Sequence, residues 1–128
     1  MSTPIETMRR FYDLFAARDE DAMRPMLANS VWHVPGENSL AGTYSGPDDV
    51  LRLFDRALEL SGGTLKYEIH GVVGEGVHAV GLDRVTGTRD DGRTIDMNRV
   101  VIAHIADEAL GEVWVNPEDG YAFDEFWR

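Results

Sequence analysis

Arg99 is the residue whose surroundings most suggest chemistry. It stands in the run Ile95-Asp96-Met97-Asn98-Arg99-Val100-Val101-Ile102-Ala103, where a guanidinium interrupts an apolar strand. Alternation along a strand puts Ile95, Met97, Arg99, Val101 and Ala103 on one face. Asp96, Asn98, Val100, Ile102 and His104 fall on the other, and both faces mix polar with apolar residues. The sequence therefore leaves open which face is inside. If the Met97 and Val101 face is inside, Arg99 is a charge in an apolar pocket and needs a carboxylate partner or an anionic ligand. If that face is outside, Arg99 pairs with an acidic neighbour at a rim or a subunit interface.

His33, in Val31-Trp32-His33-Val34, is the second candidate, because imidazole is the natural acid or base near neutral pH. Alternation sends Trp32 and Val34 to one side and His33 to the other. With Trp32 lining a pocket, His33 faces outward or bonds to the Pro35-Gly36 turn. Arg99 and His33 are taken as the candidate catalytic groups. Trp32, Val34, Tyr44, Met97, Val101 and Tyr121 are the candidate ligand-binding lining, since aromatics with a polar tip offer apolar contact plus one hydrogen bond. Ordinary core packing is the competing account of these side chains, and it is the expected one for Trp114 and Trp127. His70, His78 and His104 lie on three successive expected strands but lack His-x-His or His-Glu-x-x-His spacing, so no metal is expected. Gly62-Gly63 has no accompanying lysine or further glycine motif to make a phosphate loop, and no cofactor is expected.

The elements that must position these groups follow from composition and periodicity. A chain of 128 residues is expected to form one domain, 1–128, with a core of its own. There is no cysteine, which excludes disulfides, thiolate nucleophiles and thiolate metal sites. The formal net charge is −11, and Lys66 is the only lysine. That sign repels phosphate backbones, so no nucleic-acid partner is expected. No apolar run approaches the roughly 20 residues of a membrane span, and the start lacks a signal-peptide pattern. No membrane association and a cytoplasmic location are expected.

Thr3-Pro4-Ile5-Glu6 is a helix start, and Ile5, Met8, Phe11, Tyr12 and Phe15 follow at helical spacing. Asp19 caps a second helix that Pro25 must shorten or bend. After the brief strand Val31–Val34 a loop is expected, then a third helix from Gly46-Pro47 to Gly62-Gly63. Strands near 64–73, 77–88, 93–105 and 110–115 complete an antiparallel meander. The aromatic tail from Tyr121 to Trp127 is expected to fold back over the core. Helices first and strands after indicate an α+β fold, three N-terminal helices on a strongly curved, mostly antiparallel sheet.

Four segments carry a family resemblance: Trp32-His33-Val34-Pro35-Gly36, Leu40-Ala41-Gly42-Thr43-Tyr44-Ser45-Gly46, Ser61-Gly62-Gly63-Thr64, and Tyr121-Ala122-Phe123-Asp124-Glu125-Phe126-Trp127. In these the chain resembles the SnoaL-like branch of the nuclear transport factor 2-like superfamily. The resemblance implies a cone with an apolar pocket between sheet and helices, and a homodimer through the outer sheet face. It also implies a range of functions, from ketosteroid isomerase, polyketide cyclase and epoxide hydrolase to plain ligand binding. Carried onto this chain, the isomerase tyrosine falls at Phe11, its base at Val34 and its second acid near Val101. All three are apolar, which argues against isomerase chemistry by that route. Arg99 stands where an epoxide-hydrolase arginine would, but the residue two further on is Val101 and not a carboxylate. For the late-sheet aspartate of the cyclases the nearest candidates are Glu112 and Asp119. No complete catalytic set carries over.

Two functions are therefore expected on equal terms. One is an isomerase, cyclase or hydrolase acting on a small hydrophobic molecule. The other is a non-catalytic ligand-binding or dimeric interaction module on the same scaffold.

Overall fold

The computed structural model describes residues 2–128. Helix α1 (Pro4–Ala17) begins with a capping box: the Thr3 hydroxyl accepts from Glu6 N and the Glu6 carboxylate accepts from Thr3 N, both at 3.1 Å. It buries Met8, Phe11 and Tyr12 and ends at Arg18, which adopts the left-handed conformation. The second expected helix is only one α-turn, α2 (Glu20–Met23), continued by a 3-10 turn over Arg24–Leu27. Pro25 is the cause, since it has no N–H to extend the α pattern. Helix α3 (Gly46–Leu60) has the expected bounds and buries Val50, Leu51, Leu53 and Ala57.

Six strands follow the order β2-β1-β6-β5-β4-β3 in one sheet. They are β1 (Val31–Val34), β2 (Gly42–Ser45), β3 (Lys66–Glu75), β4 (His78–Thr88), β5 (Thr94–Ala106) and β6 (Ala109–Pro117). The segment expected as a loop after β1 contains β2, a four-residue edge strand with no buried residue and hence no periodic apolar signal. All pairings are antiparallel except β1 with β6, which is parallel. Register shifts at Ile69/Gly71 and Ala103/Ile105 bend the sheet around the helices.

Burial along the strands settles the open question of orientation. Ala79, Asp83 and Val85 of β4, and Ile95, Met97, Val101 and Ala103 of β5, are buried on the inner face, with Arg99 beside them. The outer face carries Leu82 and Val100 as a cross-strand pair, at 37% and 38% exposure, flanked by Val80, Ile102 and Trp114. Among the described residues, Leu82 and Val100 are left open to solvent on that face. Among the described residues, no helix is long and apolar enough to cross a membrane.

The aromatic tail forms helix α4 (Gly120–Trp127), which turns Phe123, Phe126 and Trp127 into the core. It is tied down at both ends. Asp124 Oδ1 accepts from Glu37 N at 3.0 Å and from Asn38 Nδ2 at 2.6 Å. Gly36 lies so close that a Cβ there would sit 2.0 Å from that same oxygen. At the other end Arg89 Nη1 donates to the Phe126 and Arg128 carbonyls, and Arg93 Nη1 to those of Glu125 and Arg128. These bonds satisfy carbonyls that a helix end leaves unpaired. Asp124→Ala is expected to lower unfolding free energy by about 1–3 kcal/mol in urea titration. Amide exchange at Glu37 should rise in parallel.

Candidate functional site

Arg99 and Asp83 face each other across the β4–β5 ladder, both pointing into the cone. Their side chains meet as a fork: Arg99 Nε donates to Asp83 Oδ1 at 2.9 Å and Nη2 to Oδ2 at 3.0 Å. The Asp83 side chain is 0% exposed and that of Arg99 14%. From α1, the Tyr12 hydroxyl donates to Asp83 Oδ2 at 3.1 Å. Tyr12 reaches it because β4 presents Gly81 at that point; a Cβ on Gly81 would lie 2.1 Å from the phenol oxygen. From β3, the Tyr67 ring lies against the guanidinium, 4.7 Å from Cζ to centroid. Four residues from α1, β3, β4 and β5 thus form one buried polar group.

The electrostatics follow from burial. Burial, and then the Asp83 charge, push the Tyr12 phenol well above its ordinary range. Burial also raises Tyr67. For Arg99 burial works against the charge, but Tyr67, Asp83 and Tyr12 outweigh it and keep the guanidinium protonated. Asp83 accepts from three donors, so its lone pairs are largely occupied. Arg99 Nε and Nη2 are engaged, which leaves Nη1 to donate elsewhere.

Arg99 belongs to the wall of an otherwise largely apolar cavity of about 60 Å³. Its aromatic wall is interlocked, with ring centroids 5.8 Å apart for Phe11 and Trp32, and 5.2 Å for Trp32 and Phe54. The Trp32 indole is fixed by donating to Ser30 Oγ at 2.8 Å, and Ser30 in turn donates to the Gly111 carbonyl. Phe123 and Trp127 of α4 close one side. On the other side Tyr12, Phe15, Phe54, Ala57 and Tyr67 are shared with a second space of about 490 Å³. That space runs out between α1, α3 and β3 to Arg18, Glu20, Asp55 and Lys66.

Of the residues singled out from sequence, Arg99, Trp32, Val34 and Val101 line the inner cavity, as does Phe11. The others do not. His33 is on the outer face, 2.6 Å from Glu112 and stacked on Trp114 at 5.8 Å. The sheet therefore separates it from Arg99, and the two share no site. Met97 faces inward but is buried further along β5, opposite Val85. Tyr44 sits on edge strand β2 and gives its hydroxyl to the Leu40 carbonyl at 2.6 Å. Tyr121 is 92% exposed, because the helical turn that buries Phe123 and Phe126 points it away. Asp119 caps α4. His78 and His104 are neighbours at 4.8 Å on the outer face, whereas His70 pairs with Glu68. Among the described residues no cluster suited to a metal ion forms.

Sequence reasoning missed Asp83, Tyr12 and Tyr67. A usable signal existed: Ala79, Gly81, Asp83 and Val85 alternate inward, so the one carboxylate there falls on the buried side.

The chain belongs to the SnoaL-like domain family, whose model matches residues 8–113. No curated protein matches it in sequence. Bal32a, from a soil-derived mobile gene cassette, is 28% identical with a TM-score of 0.91, the match covering 98% of this chain and 96% of that one. A Xanthomonas campestris protein of unknown function with a cystatin-like fold is 21% identical, with a TM-score of 0.90 and 98% of each chain covered. IdmH of Streptomyces antibioticus, proposed to be a polyketide cyclase, is 16% identical with a TM-score of 0.75, covering 91% of this chain and 93% of that one.

Tyr12→Phe should cost about 1–2 kcal/mol of unfolding free energy, by removing one donor from buried Asp83. The pH dependence has a definite sign. Tyr12 ionises less readily folded than unfolded, so its contribution is intact below the unfolded value of about 10 and is lost as pH rises beyond it. Urea titrations at alkaline pH should therefore show wild type losing stability more steeply than Tyr12→Phe.

Proposed function

We propose that this SnoaL-like domain binds a small, mainly apolar molecule through one carbonyl-type oxygen, which accepts a hydrogen bond from Arg99 Nη1. The observation that carries the reading is a charged donor, held by Asp83 and Tyr12, on the wall of an aromatic cavity. Buried polar groups fix a ligand's orientation where apolar contact supplies most of the affinity. The Arg99–Asp83 pair is neutral overall, so a neutral oxygen suits it better than a fully buried anion.

Binding is preferred to turnover for a stated reason. Isomerase and cyclase chemistry needs a base beside the polarised carbonyl. The carboxylate nearest Arg99 is Asp83, and its oxygens already accept from Arg99 and Tyr12. The Phe11, Val34 and Val101 side chains that share the cavity offer no alternative.

Calorimetric titration with naphthalene and acetonaphthone tests both points. The ketone should bind about tenfold more tightly than the hydrocarbon, the margin expected for a hydrogen bond to a charged donor. Equal affinity, or no binding of either, would overturn the proposal. Solvent deuterium should enter the acetonaphthone methyl no faster with the protein present than without it; accelerated exchange would reveal a base and favour the isomerase or cyclase reading.

A homodimer is proposed as well. It is supported by the uncovered outer face, where Leu82, Val100, Val80 and Ile102 make a continuous apolar strip on neighbouring strands. Sedimentation equilibrium should give a dimer mass that Leu82→Glu with Val100→Glu reduces to a monomer. A concentration-independent monomer of the wild type would contradict it.

A further inference from the structure

The two spaces inside the cone differ in their ends. The inner one is closed by α4, which is bonded on one side to Glu37 and Asn38 and on the other to Arg89 and Arg93. The outer one reaches the surface between α1, α3 and β3. Tyr12, Phe15 and Tyr67 are common to both, so a ligand touching Arg99 passes them and ends at the outer rim.

That rim brings two cations to the mouth of the cone. The chain carries 23 acidic residues against 12 basic ones, yet its only lysine, Lys66, is at this opening together with Arg18. Among the described residues neither cation has a carboxylate partner within ion-pairing distance; Arg9, Arg10, Arg56 and Arg89 share that state, whereas Arg24, Arg52, Arg84, Arg93, Arg99 and Arg128 are paired. Both are exposed. The two rim carboxylates, Glu20 and Asp55, stand close enough for Asp55 to raise Glu20 above the usual carboxylate range. Arg18, among the residues lining the opening, ends α1 in the left-handed conformation, where the chain turns into α2.

We infer that the ligand of this cone is an amphipathic acid: an apolar, carbonyl-bearing body seated against Arg99, and a carboxylate at the far end held by Arg18 and Lys66. This rests on the ligand-binding reading of the inner cavity and adds the chemical class of what enters it. The inner oxygen and the outer carboxylate are distinct requirements. Inside, a neutral acceptor meets a neutralised ion pair; outside, an anion meets two free cations in water.

The experiment compares three probes by calorimetry at low salt: acetonaphthone, a naphthyl ketone extended by a flexible chain ending in a carboxylate, and the methyl ester of that extended ketone. The acid should bind about three- to tenfold more tightly than its ester, as solvent-exposed ion pairs allow, and added salt should erase the difference. Arg18→Gln with Lys66→Gln should bring the acid to the affinity of the ester and leave acetonaphthone unchanged. Acid and ester of equal affinity on a protein that binds acetonaphthone would overturn the rim assignment alone. Failure of all three probes would overturn the cavity reading beneath it. If the double variant weakens acetonaphthone as well, the two residues act on the fold and the assignment also fails.

Discussion

A guanidinium inside a hydrophobic cone is tolerable only if its charge is met there, and most of the site's geometry answers that requirement. Asp83 has to be the residue directly opposite Arg99, which demands the observed β4–β5 register. A slip of one residue would turn one of the pair outward and leave the other buried alone, at a cost of several kcal/mol. Tyr12 has to approach Asp83, which demands a strand position without a side chain, and Gly81 supplies it. Tyr67 has to bring its ring against the guanidinium, and it does so from β3, the edge strand that contacts α1. The polar centre therefore locks one helix and three strands into a single arrangement. Apolar packing alone would allow more than one.

Apolar and polar parts of the cone are divided by element. The helices supply most of the aromatic and aliphatic wall, with Phe11, Phe15, Leu53 and Phe54 on α1 and α3. The long strands supply the charges, because side chains on neighbouring strands stand opposite each other with little freedom to swing apart. The outer face of the same strands has the reverse character: Leu82 and Val100 lie between the exposed pairs Arg84–Asp96 and His33–Glu112. One sheet thus presents charge to its greasy side and grease to its wet side.

The class of fold, the helix starts at Thr3 and Gly46, and the four long strands could be read from the sequence, because capping residues and turn glycines mark ends directly. Strand β2 could not, since an exposed four-residue edge has no burial period to detect. The candidate site was half legible. The need of Arg99 for a carboxylate or an anionic ligand followed only if its face was the inner one, and the partner's identity depends on a cross-strand register that no local pattern encodes. Tyr12 read as one more member of an apolar helix face, because its hydroxyl becomes informative only beside Gly81. Tyr121 and Tyr44 failed as pocket residues for the opposite reason: amphipathic rings serve at a surface as readily as in a wall. His33 shows that chemical aptitude is no guide to which side of a strand a residue takes.

The parallel pairing of β1 with β6 sets an order on the life of the chain. Residues 31–33 find their neighbours at 112–114, so the front strand has no sheet to join until nearly the whole polypeptide exists. While the meander is still being made, Trp32 and Val34 have no inner wall and the β1–β2 hairpin is an orphan. Contacts this distant in sequence close slowly, and the apolar segments awaiting them are exposed meanwhile. The last strand and the tail that follows it are what make the first forty residues foldable. A ribosome-bound fragment ending before Ala109 would hold two long hairpins and three helical segments, without the strand that joins β1 to the sheet.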